Sequence, residues 1–170
     1  MTLGFLLRGT TAATLTLFAW QVVSNVVLPW HSLTMRAFPD NAGAVQAILA
    51  QAPGNGVYFS PQGVLAAVSL TPSLADKTQA IGRMQRRQLL IDLGAALLLC
   101  VVTSRLAATR PIEIAATLGL TGLATAAIAL GSEWNWYGFS PAYAVVNTAD
   151  FALNLFLAGW VLGSIKKRLS

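Results

Sequence analysis

The stretch from Ala142 to Ile165 most constrains what this chain can become. It is long and apolar enough to cross a bilayer, and it stops at the basic run Lys166-Lys167-Arg168. Yet Asn147, Asp150 and Asn154 interrupt it at spacings of three and four. On a helix those residues gather on one face. Hydrocarbon offers a carboxylate nothing to bond, so that face is expected to turn towards other helices. Asn25, Arg87, Gln88 and Asp92 are the expected partners of Asp150.

Composition supports the same environment. Of the 170 residues, 55% are hydrophobic and only 10% charged, whereas a water-soluble domain carries about 25% charged residues. So few charges cannot solvate an exterior, and the expected partner is the lipid bilayer. The net charge of +5 does not point to nucleic acid, because the basic residues stand at the ends of apolar segments and form no separate patch. They read as topology signals and headgroup contacts. Cys100 is the single cysteine and His31 the single histidine, which excludes an intrachain disulfide and a cysteine- or histidine-rich metal site. No Walker loop, dinucleotide fingerprint, zinc motif or Ser-His-Asp set is legible, so no cofactor is implied by a motif.

In order, Phe5 to Trp30 reads as a retained membrane helix ended by Pro29, placing residues 1–30 in the first span. Residues 31–83 differ: they are less apolar and contain most of the prolines. Asp40 is placed to cap a short helix running to Ala52, and Pro53-Gly54-Asn55-Gly56 signals a turn. Val57 to Ser60 and Val64 to Leu70 then read as a hairpin turned by Pro61-Gln62-Gly63. Within residues 84–170, membrane helices are expected over Gln88–Leu106, Pro111–Leu130 and Ala142–Ile165, preceded by a basic, polar run from Lys77 to Arg87. The expected fold is therefore mainly α: an integral membrane protein of four transmembrane helices, with a small α+β extracytoplasmic cap between helices one and two. Gly119 and Gly122, with Ala115 and Ala126, and Gly159 with Gly163 follow small-x3-small spacings that let helices approach closely. Trp30, and Trp134, Trp136, Tyr137 and Phe139 in an expected loop from Gly131 to Pro141, suit an aromatic belt at the membrane surface.

Four spans put both termini on one side, with Arg8, Arg105, Arg110, Lys166, Lys167 and Arg168 in short loops and tails there. That side is expected to be the cytoplasm. Gln21, Asn25, Gln88, Asp92, Asn147, Asp150 and Asn154 then share the outer half of the bundle as an intramembrane polar cluster. Two carboxylates close together in low dielectric compete for ionisation, which can serve proton transfer, ligand binding or ion conduction. The structural reading is interhelical hydrogen bonding plus a salt bridge to Arg86 or Arg87, and it is the one we favour. His31 reads as a polar anchor at the interface, and no residue is assigned a catalytic role.

Two resemblances add to this. Val146-Asn147-Thr148-Ala149-Asp150 resembles the last-helix Asn-x-Ala-Asp motif of lipoprotein signal peptidases, as do the chain length and an outer domain after helix one. That family resembles an aspartyl protease with a second aspartate in helix three, and Pro111–Leu130 has none; membership is not adopted. Leu28-Pro29-Trp30-His31, Gly56-Val57-Tyr58-Phe59-x-Pro61 and Trp134-Asn135-Trp136-Tyr137-Gly138-Phe139 together resemble a group of small bacterial four-helix inner-membrane proteins. The resemblance implies a membrane fold in the bacterial inner membrane and supplies no activity. That pattern carries histidine at the position of Asn25. The expected function is non-enzymatic, an accessory, structural or assembly subunit partnered by other membrane protein subunits. The alternative is a membrane enzyme or small transporter using Asp92 and Asp150.

Overall fold

Thr2 opens the first helix. Its hydroxyl accepts the Phe5 N–H at 3.2 Å, satisfying one amide that the first turn leaves without a partner. This helix, α1, spans Leu3–Val22 and runs on into a π turn over Val23–Val27, where the Leu28 N–H reaches back five residues to the Val23 carbonyl at 3.0 Å. Pro29 has no amide to continue the ladder. The chain therefore leaves the helix at Leu28, short of the expected end at Trp30, and makes a 3₁₀ turn at Ser32–Thr34.

These observations come from a computed structural model, which describes residues 2–60, 64–68 and 74–169. The chain divides into two units, one of Met1–Thr34 with Gln85–Ser170 and one of Met35–Met84. His31 to Thr34 thus group with the helices and not with the smaller unit. In the smaller unit, α2 spans Asn41–Gln51 and is capped as expected by Asp40, whose Oδ1 accepts the Gly43 N–H at 3.0 Å. Strands β1 (Gly56–Ser60) and β2 (Val64–Val68) pair antiparallel, with Gly56 opposite Val68 and Ser60 opposite Val64. Tyr58 stabilises the preceding turn by donating to the Gly54 carbonyl at 2.6 Å and accepting the Gly54 N–H at 3.2 Å. The expected Pro61-Gln62-Gly63 turn and the last residues of the second strand lie outside the described residues.

Helix α3 spans Leu74–Arg105. The basic run before Gln88 is therefore the start of one long helix and not a separate linker, since it contains no proline. Helix α4 spans Pro111–Tyr137, with proline in its first turn and Glu113 at the positive end of its dipole. It continues through the expected loop from Gly131, because nothing before Gly138 stops it. Gly138 adopts φ 71°, the left-handed conformation that ends helices, and only Gly138 to Ser140 link the two helices. Ser140 Oγ then accepts the Tyr143 N–H at 3.1 Å, and α5 spans Pro141–Leu169 with Lys166, Lys167 and Arg168 at its negative end.

Among the described residues, three stretches are long and apolar enough to cross a membrane: Ile81–Arg105, Pro111–Tyr137 and Pro141–Leu169. Helix α1 has 20 residues but carries Arg8 and several threonines, and is not among them. The closest packing joins α4 to α5 through the predicted glycines. A Cβ on Gly159 would lie 2.8 Å from the Ala115 Cα, and one on Gly163 would lie 2.7 Å from the Pro111 Cα. Gly119 and Gly122 face Phe156 and Leu155 across the same seam. Helix α1 joins at Gly9, where a Cβ would meet Cys100 Sγ at 2.9 Å and Leu162 at 3.1 Å. Ala13, Ala96, Cys100, Ile114, Leu118, Ala158 and Leu162 fill the interior.

Candidate functional site

The last turn of α1 places two successive side chains about 100° apart around its axis. Trp20 looks to α5 and Gln21 to α3, and each meets a carboxylate. The Trp20 indole donates to Asp150 Oδ1 at 2.6 Å. Gln21 Nε2 donates to Asp92 Oδ1 at 3.1 Å, and Gln88, one turn before Asp92 on α3, donates to the same oxygen at 3.0 Å. The two carboxylates therefore stand level with one another on either side of α1, each tying that helix to a neighbour. Asp92 is 2% exposed, and its Oδ2 has no hydrogen-bond partner among the described residues.

Asp150 is held a second time. Its Oδ2 lies 3.3 Å from His31 Nε2, and Ser24 Oγ lies 3.0 Å from that same nitrogen. The Trp30 indole donates to the Ser24 carbonyl at 3.1 Å and is 3.0 Å from the Ser24 hydroxyl. Trp30 meets Trp20 and His31 edge-on, with centroids 6.2 and 5.6 Å apart. The turn after the π segment makes this possible, because it folds Trp30 and His31 back against the helix they have just left.

A serine, a histidine and an aspartate thus lie together, a combination the linear sequence hid. Their arrangement is not that of a nucleophilic triad. Such a triad puts serine and aspartate on opposite ring nitrogens, so that one orients the imidazole while the other gives up its proton. Here both approach Nε2. Ser24 is also fully buried and already engaged by Trp30, leaving no approach for a substrate. The geometry joins the turn after α1 to α5 and exposes no nucleophile. Among the described residues no group of three metal-ligating side chains is assembled.

The seven residues expected to form one polar cluster fall into different places. Gln21, Gln88 and Asp92 meet. Asn25 donates to the Gln21 carbonyl at 3.0 Å and Asn147 to the Tyr143 carbonyl at 2.8 Å, each bonding its own helix. Asn154 is buried, and its Oδ1 has no hydrogen-bond partner among the described residues. Asp150 bonds Trp20 and His31, and none of Asn25, Arg87, Gln88 or Asp92. Asp92 accepts from Gln88, because a residue four before it shares its helical face, whereas Arg87, five before, is rotated away by about 140°. Trp30 packs into the Asp150 assembly through Trp20, Ser24 and His31. Trp134, Trp136 and Tyr137 are exposed on the last turns of α4, and Phe139 stacks on Tyr143 with centroids 4.8 Å apart. Trp20, Ser24 and His31 carry the site without having been singled out for it. The four-residue spacing of Trp20 and Ser24 was a usable signal, since it puts both on one face of α1.

Comparisons of the chain with protein-family models, with curated proteins and with solved structures found no match. What the geometry defines is a helical bundle with, among the described residues, three stretches fit to cross a membrane and two carboxylates bonded into its helix contacts.

Proposed function

We propose that the chain is a non-enzymatic integral membrane protein, an accessory, structural or assembly subunit of a larger membrane complex. In this reading α1 is a fourth span, the α+β unit lies outside the cytoplasm, both termini lie inside, and the membrane is a bacterial inner membrane. One observation carries the functional part: Asp92 and Asp150, the groups best suited to chemistry within the bundle, are each engaged in fastening α1 to a neighbouring helix. An open apolar groove of about 390 Å³ between α4 and α5, lined by Ala116, Gly119, Leu120, Leu123, Ala152, Leu153 and Phe156, adds a face suited to another membrane helix. Isolation in mild detergent followed by mass spectrometry is the test. Stable co-purifying membrane subunits are expected, and a strictly solitary protein would refute the reading. Cysteine labelling at Asn55 in intact cells tests the topology, with labelling only after lysis reversing it.

The second reading, a membrane enzyme or small transporter using Asp92 and Asp150, draws support from the unpartnered buried oxygen of Asp92. Asp92→Asn and Asp150→Asn separate the two. Loss of a cellular phenotype with normal insertion and normal complex assembly would favour transport or catalysis; preserved function in both variants would favour the subunit.

A further inference from the structure

Arg8, Arg105, Arg110, Lys166, Lys167 and Arg168 lie at or near one set of helix ends, away from Arg86 and Arg87 farther back on α3, and the packing shows those ends to be neighbours. Helix α1 begins at Leu3, α3 ends at Arg105, α4 begins at Pro111 and α5 ends at Leu169. Lys166 Nζ on α5 donates to the carbonyls of Thr103, Leu106 and Ala108 at 3.1, 2.7 and 3.2 Å, and Gly163 lies against Pro111. Several of the cations are engaged within the protein: Lys166 covers the Thr103 carbonyl in the last turn of α3 and two carbonyls just past it, Arg110 bonds Glu113, and Lys167 also has a partner. Arg8, Arg105 and Arg168 are exposed and bond no acidic side chain among the described residues.

Arg8 is the informative member. Its neighbour Gly9 touches Cys100 and Leu162, which stand five and seven residues before the ends of α3 and α5, about 8–10 Å inside that end of the bundle. Leu7 and Leu15, at 61% and 60% exposed, mark the surrounding surface as lipid-facing. Side chains on a helix lean towards its N-terminus, which for α1 is the basic end. In a bilayer this lean would lay the Arg8 stem along hydrocarbon and carry its guanidinium towards the end of the bundle that Arg105 and Arg168 share.

We propose that this end of the bundle binds the phosphodiester of anionic phospholipid headgroups, with Arg8, Arg105 and Arg168 as its ligands. Guanidinium groups take phosphate oxygens in pairs. A soluble phosphate or an acidic protein would have to reach a residue rooted among exposed leucines, whereas a phospholipid brings its own acyl chains to that surface. The proposal rests on the bundle crossing a bilayer.

The test uses the full chain in nanodiscs of phosphatidylcholine mixed with phosphatidylglycerol, followed by release and native mass spectrometry of retained lipid. The unaltered protein is expected to retain phosphatidylglycerol in preference to phosphatidylcholine, and each arginine-to-glutamine change at these positions should lower retention about fivefold. Retention should also fall as salt rises. Arg36→Gln, in the other unit, should change nothing. Equal retention of the two lipids, retention indifferent to salt, or an Arg8→Gln, Arg105→Gln, Arg168→Gln triple variant that matches the unaltered chain would each overturn the proposal. A chain that fails to enter nanodiscs would overturn the membrane reading as well, which distinguishes the two failures.

Discussion

Replacing Asp150 tests the central clasp most directly. The carboxylate receives the Trp20 indole at 2.6 Å and faces His31 Nε2 at 3.3 Å. Asp150→Leu removes both bonds and strands two polar groups at the end of α1. Breaking a fully buried pair costs about 3–5 kcal/mol. The side chains of His31 and Asp150 are 12% and 16% exposed, so some water reaches them, and the expected loss is about 2–3 kcal/mol once that screening is allowed for. Against a total stability of about 5–15 kcal/mol, such a loss is readily measured. Asp150→Asn keeps an oxygen for Trp20 and removes only the charge, with an expected loss of about 1 kcal/mol. Reversible unfolding in detergent, followed by tryptophan fluorescence, provides the assay. A Trp20→Phe, Asp150→Leu double variant should show coupling of about 1–3 kcal/mol between the two positions. The reasoning is refuted if Asp150→Leu costs less than about 0.5 kcal/mol, or if Asp150→Asn proves the worse of the two.

Other substitutions probe the remaining contacts. Gly159→Leu drives a side chain into the Ala115 backbone, where even a Cβ would sit at 2.8 Å; a loss of at least about 1–3 kcal/mol is expected in the same unfolding assay. Asp92→Asn keeps an oxygen for Gln21 and Gln88 while replacing a carboxylate whose second oxygen is buried without a partner among the described residues. Its stability should be unchanged or higher, whereas Gln21→Leu should lower it by about 1 kcal/mol. Lys166→Met uncovers the Thr103 carbonyl in the last turn of α3 and the Leu106 and Ala108 carbonyls in the link after it and should speed proteolytic cleavage between Arg105 and Arg110 while leaving insertion intact.

Much of the local structure could be read before any coordinates. Asp40 announces the start of α2 because its side chain and the amide it caps lie within three residues. The glycines of α4 and α5 announce a close seam because only a hydrogen in place of Cβ admits a neighbouring backbone, and the seam forms between these two helices. The extent of α4 could have been read better, since Gly138 is the first residue after Pro111 that takes a left-handed conformation. The polar face of α5 was legible as a face, and its composition required the bilayer-compatible class. The partner of Asp150 was not legible. Trp20 is 130 residues away, and periodicity fixes which residues share a face without fixing how two helices are rotated against each other. His31 was less legible still. Its place depends on the π turn and on Pro29 reversing the chain, so that a residue just past the end of α1 returns to its side. Ser24, His31 and Asp150 come together only through that reversal and the docking of α5, and only the coordinates show that serine and aspartate share one imidazole nitrogen. Sequence determined which groups needed partners, because burial of a polar atom is costly wherever it occurs. Tertiary structure decided which partners they took, because hydrogen bonds across helices depend on rotations and turn geometry that no single segment specifies.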